Sequence, residues 1–199
     1  MEVIQIGKKI HHLHYKKQRD LASTFLRFQE HYESPEFEGK IFTRDEYKKW
    51  YIQQKGEFTY YKDWSGFNIP GKILKPFKKG KFNPLTEKGK EILNLFKGKI
   101  RKFYVIGTYG KKDDSIEHEI AHALFYLFPM YKIRVLFEMG KHDLSKIEKR
   151  IKKTSGYAED KLRDETQAYL IQGHEMVGRG HEELRKKIRT IFDEYYKKL

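Results

Sequence analysis

Apolar residues recur every three or four positions in four separate segments, which is the spacing of one face of an α-helix. These segments are residues 18–32, 43–51, 86–97 and 182–199. The second segment begins with Thr43-Arg-Asp-Glu46, a capping box in which both side chains satisfy free amides of the first turn. A proline at 35 and a glycine at 98 are suitable ends for the first and third segments. The pattern therefore predicts four helices.

Strict alternation of side chains predicts a strand at residues 103–108, where Phe103, Val105 and Gly107 alternate with the residues between them. A turn at 110–115 follows, and its last three residues could cap a helix that begins next. The aromatic, turn-rich stretch 57–77 predicts ordered loops with short strands. Within it, the segment 63–71 either lines a substrate cleft or forms a locally packed loop.

These elements predict an α+β fold in which helices dominate after residue 115. The chain carries no internal repeat and no low-complexity linker. We expect a mixed lobe at residues 1–100, acting as cleft wall or substrate recognition surface, and a catalytic core at 101–199, joined in one compact unit.

The amino-acid composition limits which residues could bind a metal ion and which partners the protein could attract. The chain has 199 residues, no cysteine, and 42 Lys and Arg against 28 Asp and Glu, which gives a formal charge of +14. Without thiolates, a metal ion must be held by His, Asp or Glu. The lysines are spread through the chain. They either form an ordinary solvated surface or attract nucleic acid and other polyanions weakly.

No window approaches the roughly 20 apolar residues of a membrane span. The first residues carry charges where a signal peptide needs an apolar centre. We therefore expect a cytoplasmic protein with no membrane association.

The helix predicted after residue 115 contains His118-Glu119-Ile-Ala-His122. Residues four apart lie one above the other on a helix, so both imidazoles can reach one zinc ion at about 2.0–2.1 Å. Glu119 lies about 100° around the helix from His118. It is therefore better placed as a general base beside an attacking water than as a ligand.

A third ligand is available at Glu165, on the predicted helix face of residues 162–172. Ala168, one turn later, is small enough to let this helix approach the first one closely. Rival ligands remain possible, and they are Glu138, His142, Asp143, Glu159, Asp160, Asp164 and His174. The alternative interpretation of Glu165 is an ordinary solvated carboxylate. The alternative interpretation of His118 and His122 is a pair of packed or surface histidines with no metal.

His118-Glu119-x-x-His122 followed by Glu165-x-x-Ala168 resembles the gluzincin branch of zinc metallopeptidases, including compact intracellular members of the phage-repressor-cleaving type. The resemblance covers roughly residues 103–173. It implies a zincin-like core, one catalytic Zn²⁺ held by His118, His122 and Glu165, and Glu119 as catalytic base. It also implies that the strand at 103–107 is an edge strand along which an extended peptide or protein substrate lies. The Gly and third His of the metzincin motif are absent after His122.

Peptide hydrolysis develops an oxyanion, which needs a hydrogen-bond donor besides the metal. Tyr157, Tyr169 and His174 are the candidates by location, with Tyr157 preferred. Asp164 could accept a hydrogen bond from a ligand imidazole, or it could be exposed.

Two functions from different classes remain. The first is a zinc metalloendopeptidase, which the motifs favour. The second is a basic nucleic-acid-binding module whose metal motif is accidental or vestigial, which the interleaved basic and aromatic residues favour. Salt-dependent binding by metal-free protein would indicate the module.

Overall fold

The computed structural model describes residues 1–99, 101–110, 116–155, 161–173, 177–178 and 180–199. Its strands are β1 (Glu2–Ile6), β2 (Ile10–Tyr15), β3 (Gly66–Pro70) and β4 (Tyr104–Tyr109). The helices of the first half are α1 (Gln18–Glu33), α2 (Arg44–Lys55), α3 (Tyr60–Asp63), α4 (Leu74–Lys78) and α5 (Glu87–Leu95). Those of the second half are α6 (Ile116–Leu127), α7 (Pro129–Met139), α8 (Ser145–Ser155), α9 (Leu162–Gln172) and α10 (Glu182–Tyr196).

The predicted α+β class is confirmed. All regular elements described after residue 115 are helices, and strands from both halves of the chain form one sheet. The four helices predicted by periodicity are present as α1, α2, α5 and α10. The capping box is also present, because the Thr43 side chain accepts from the Glu46 amide and the Glu46 carboxylate accepts from the Thr43 amide.

The sheet has the strand order β1-β2-β4-β3, so β4 is a central strand. It pairs parallel with β2 on one side and antiparallel with β3 on the other. The prediction that residues 103–107 form an edge strand is therefore wrong. Its partner β2, whose sequence is Ile-His-His-Leu-His-Tyr, was not predicted because three histidines obscure the apolar pattern of a buried strand. The described edge nearest to α6 is β3.

Helices cover both faces of the sheet, and each face has its own hydrophobic core. Tyr104 and Ile106 of β4 belong to the core built with α6 to α10. Val105, between them, belongs to the core built with α1 to α5. The close approach of α1 depends on Gly107, because a Cβ atom there would lie 2.6 Å from the Phe25 ring. This packing brings the C-terminal half of α1 towards β3 and α6.

Among the described residues, no single helix is long and apolar enough to cross a membrane. The helices α6 and α7 reach the required length and composition only when taken together, and they meet at a bend of 110°.

Candidate metal centre

The helix α6 places both motif histidines in the protein interior. His118 is 9% exposed and His122 is 2% exposed. On the other side of α6, Ile120 and Leu124 pack in the core with α7 to α10. The Nε2 atoms of the two histidines lie 3.1 Å apart. Burial of the apolar face thus fixes the helix so that both imidazoles point to one place.

The helix α9 completes the cluster with Glu165, which is 3% exposed. Its carboxylate oxygens lie 3.6 Å from His118 Nε2 and 3.5 Å from His122 Nε2. Ala168, on the same helix, is fully buried, as expected where two helices approach closely. His118, His122 and Glu165 could together hold a metal ion.

The spacing of these donors fits a tetrahedral ion. Ligand bonds of about 2.0–2.1 Å at tetrahedral angles place neighbouring donor atoms about 3.3–3.4 Å apart. The two imidazole Nε2 atoms lie 3.1 Å apart, His118 Nε2 lies 3.6 Å from Glu165 Oε2, and His122 Nε2 lies 3.5 Å from Glu165 Oε1, all close to that value. The donor set is therefore compatible with a metal ion bound by three protein atoms.

The rival ligands fall into two groups. Glu138, His142, Asp143 and Asp164 are described, and none of them belongs to the described group of ligand atoms that could share an ion. Glu159, Asp160 and His174 lie outside the described residues, as do Tyr157 and the capping positions 113–115. Tyr169, the other candidate oxyanion donor, stacks edge to face on His118 with ring centroids 4.7 Å apart.

Asp164 orients His122, one of the two histidines of the cluster. Its Oδ1 lies 2.9 Å from His122 Nδ1 and also accepts a hydrogen bond from Gln167 Nε2 at 3.1 Å. The Gln167 side chain is itself held by the hydroxyl of Tyr131, at 2.8 Å. Burial opposes the charged form of His122, but the Asp164 and Glu165 carboxylates outweigh it and hold the His122 pKa well above its ordinary value. The Nδ1 proton is held by Asp164, so a metal ion bound at the cluster would displace the proton on Nε2.

Asp164→Asn should therefore lower metal affinity by about 10–100-fold, since the hydrogen bond to the ligand imidazole loses its charged acceptor. Competition against a chromophoric chelator measures this change. Asp143→Asn is the matched control, because Asp143 caps α8 at the Ser145 amide and asparagine caps equally well. Unchanged affinity in Asp164→Asn would contradict the role assigned to this carboxylate.

Glu119 lies beside the cluster and is held by β3. Asn68 Nδ2 donates to Glu119 Oε2 at 2.8 Å, and the Tyr104 hydroxyl donates to Asn68 Oδ1 at 2.5 Å. A Cβ atom at Gly66 would lie 2.1 Å from Glu119 Oε1, so only glycine leaves room for this carboxylate. Burial raises the Glu119 pKa, partly countered by His118 and His122. The carboxylate is therefore fixed in place and disposed to accept a proton.

The cavity in front of the cluster holds about 80 Å³ and is acidic. Its described lining contains four Glu residues and neither Lys nor Arg, although the chain has 42 of them. Two of these carboxyls, Glu30 and Glu33, come from α1. Burial and the neighbouring Glu165 raise the pKa of Glu33 well above its usual range. Buried carboxyls are stabilised either by a proton or by a nearby cation, so the cavity favours a cationic ligand.

The carboxyls on α1 were not predicted, because only tertiary packing brings α1 to this site. The segment 63–71 does line the cavity, through Trp64, Gly66, Phe67 and Asn68. The Trp64 indole Nε1 is buried without an acceptor among the described residues. The Trp64 indole is therefore a further candidate hydrogen-bond donor at this site. The only sequence signal for it was its position in an aromatic, turn-rich segment.

Glu30 makes the stability of the fold depend on pH. The Tyr60 hydroxyl donates to it at 2.7 Å, yet burial raises its pKa to about 7. Because the folded pKa lies above the unfolded value, the native state binds the proton preferentially, and stability falls as pH rises from about 4.5 to 7. Glu30→Gln should remove this loss, so its stability relative to wild type should grow by about 1–3 kcal/mol between pH 4.5 and pH 8.

Urea denaturation at the two pH values measures this difference. Glu57→Gln, at an exposed position, should show the wild-type pH dependence. A constant difference between Glu30→Gln and wild type at both pH values would refute the assignment.

Comparison with protein-family models, with curated protein sequences and with solved structures gave no match to this chain. Its function is therefore argued from the geometry and chemistry of the site itself.

Proposed function

We propose that this chain is a zinc-dependent peptidase with a zincin-like core formed by β4, α6 and α9. One observation carries the proposal. The ligand cluster of His118, His122 and Glu165 shares its cavity with the carboxylate of Glu119, which neither ligates within the cluster nor forms an ion pair in the described structure.

Zinc is the ion that best suits the donors. Two imidazoles and one carboxylate form a ligand set typical of catalytic zinc, in which a fourth position stays open. A zinc ion bound here would supply Lewis acidity, which polarises an amide carbonyl and makes water nucleophilic at neutral pH. His118, His122 and Glu165 would hold it, with Asp164 fixing the orientation of His122.

Glu119 would carry the proton through the reaction. As the water oxygen forms its bond to the carbonyl carbon, the Glu119 carboxylate accepts the water proton. Glu119 then delivers that proton to the amide nitrogen as the C–N bond breaks. The raised pKa of the buried carboxyl suits both steps, and the Asn68 amide keeps Glu119 Oε2 in one orientation.

The substrate would lie along β3, the edge strand beside the site, instead of along β4. The outer amide of this edge is already occupied in the described structure, because Asn68 N–H donates to Gln29 Oε1 at 3.2 Å. An extended peptide would take the place of Gln29 at this amide. The small volume of the cavity agrees with a substrate that must part α1 from β3 to enter.

Incubation of zinc-loaded protein with a peptide library, followed by mass spectrometry of the products, tests the proposal. Cleavage should require zinc and should be lost in Glu119→Gln protein. Absence of cleavage across the library by zinc-loaded wild type, under conditions where the protein stays folded, would overturn it.

A further inference from the structure

A second and larger cleft lies in the N-terminal half of the chain. It holds about 990 Å³ and is formed by the start and middle of α1, by the start of α2, and by the segments 58–62 and 83–86. It shares no lining residue with the metal cavity. Any ligand of this cleft is therefore distinct from the groups that occupy the metal centre.

The walls of this cleft carry unbalanced positive charge. Five cationic side chains line it, against the single carboxylate of Asp45, and they are Arg19, Arg27, Arg44, Lys48 and Lys62. None of the five takes part in the ion pairs found among the described residues. Part of the formal charge of +14 is thus gathered on one cleft, with five cations against one carboxylate, although the sequence alone shows only scattered lysines.

Two of the guanidinium groups are held in position by neutral partners. Arg27 donates to the carbonyl oxygens of Phe82 at 2.8 Å and Pro84 at 3.1 Å. Arg44 donates to the hydroxyl of Tyr61 at 2.5 Å. Burial and the nearby charge of Arg44 lower the Arg27 pKa. Two fixed cations that repel each other are stabilised by an anion that contacts both.

Aromatic rings stand beside these cations. Phe58 and Tyr61 line the cleft and are only partly buried. The Lys48 ammonium lies 5.8 Å from the centre of the Phe58 ring, and the Arg19 guanidinium lies 6.0 Å from the centre of the Tyr61 ring. Partly exposed rings interleaved with cations are the arrangement that binds bases and phosphates of a single strand together.

We propose that this cleft binds single-stranded nucleic acid, with phosphates on Arg19, Arg27, Arg44, Lys48 and Lys62 and bases on Phe58 and Tyr61. A single strand is favoured over a duplex because its bases are free to stack on the rings. It is favoured over an acidic peptide because aspartate and glutamate carry no aromatic ring that could stack on Phe58 and Tyr61. This activity does not depend on the metal centre or on hydrolysis.

Fluorescence anisotropy with labelled oligo(dT) of about 12 nucleotides, a length within the usual range of single-strand sites, tests the proposal on the full chain. If all five cations contact phosphates, the logarithm of the binding constant should fall with the logarithm of salt concentration with a slope of about −3.5. The triple variant Arg19→Gln, Lys48→Gln, Lys62→Gln should bind about 50-fold more weakly at 0.15 M salt, from counterion release alone. Phe58→Leu should weaken binding by about tenfold through lost stacking.

The matched control is a second triple variant that loses the same three positive charges on the other side of the sheet. Its substitutions are Lys146→Gln, Lys149→Gln and Lys186→Gln, all at exposed positions of α8 and α10. The control should bind like wild type. Equal weakening in both triple variants would mean that net charge alone attracts the strand, and the proposed site would be wrong.

Three other results would also overturn the proposal. One is no binding of oligo(dT) at 50 mM salt. Another is equal displacement of oligo(dT) by polyglutamate or tripolyphosphate at matched charge, which would indicate a general polyanion site. The third is preference for duplex over single strand. Metal content plays no part in these measurements, so their outcome is independent of the proposed peptidase.

Discussion

Glu119→Gln protein is expected to bind zinc as wild type does and to lose peptide hydrolysis by about 10²–10⁴-fold, the usual contribution of a general acid–base group. Glutamine has the shape of glutamate and can accept the hydrogen bond from Asn68 Nδ2, which now goes to Glu119 Oε2 at 2.8 Å. The Tyr104 hydroxyl fixes Asn68 in the orientation that makes this possible. The substitution therefore removes the proton acceptor and leaves its surroundings in place.

The fold should be unaffected or slightly more stable in this variant, because burial disfavours the charged form of Glu119. Thermal unfolding checks this point alongside kcat/KM. Glu117→Gln, two residues earlier on α6, is the matched control. Its carboxylate faces Arg189 at 2.7 Å, away from the cluster, so hydrolysis should stay at the wild-type level. Full activity in Glu119→Gln would show that another group accepts the proton.

The cluster of His118, His122 and Glu165, a candidate metal site, could be predicted from the sequence because most of it is local. His118 and His122 are four residues apart on one helix, so helical geometry alone places their imidazoles together. Glu165 required a longer argument, from helical periodicity and the small neighbour Ala168, and the structure places it with both histidines. For Asp164 the sequence left two alternatives, a hydrogen-bond acceptor for a ligand imidazole or an exposed carboxylate. The 2.9 Å distance between Asp164 Oδ1 and His122 Nδ1 supports the first.

The groups around the cluster could not be predicted in the same way, because they depend on the order of strands in the sheet. The strand at 103–107 was assigned to an edge only by resemblance. Its true neighbour, the histidine-rich β2, is buried because polar contacts satisfy its imidazoles, as between His12 Nε2 and Thr108 Oγ1 at 2.7 Å. Sequence periodicity does not register such contacts. With β2 in place, β4 is central and β3 becomes the edge beside the site.

The carboxyl groups that α1 contributes to the cavity could not be predicted for a related reason. Glu30 and Glu33 lie on a helix whose periodicity was correctly predicted, but periodicity does not say which element the helix will approach. The approach depends on Gly107 in the middle of β4, where α1 lies close to the strand. A glycine between buried strand residues was the one available signal.

Wild-type protein is expected to bind one zinc ion per chain, and His122→Ala and Glu165→Ala are each expected to lose affinity by more than the 10–100-fold typical of supporting residues. Either change removes one of the three donors found among the described residues. The remaining two cannot enclose the ion, whereas the acidic cavity persists and keeps a weak attraction for cations. Elemental analysis and native mass spectrometry give the stoichiometry, and chelator competition gives the affinity.

Stability provides a second readout that does not depend on activity. A ligand that binds only the folded state stabilises it by about 2.7 kcal/mol at a concentration 100 times its Kd. Zinc should therefore raise the unfolding temperature of wild type but not of the two variants. His142→Ala is the control, because His142 was a rival ligand by sequence and lies outside the described cluster. If Glu165→Ala keeps its zinc, the third donor lies elsewhere. If wild type binds no zinc when it is supplied, the hydrolase proposal fails while the nucleic-acid cleft remains open to its own test.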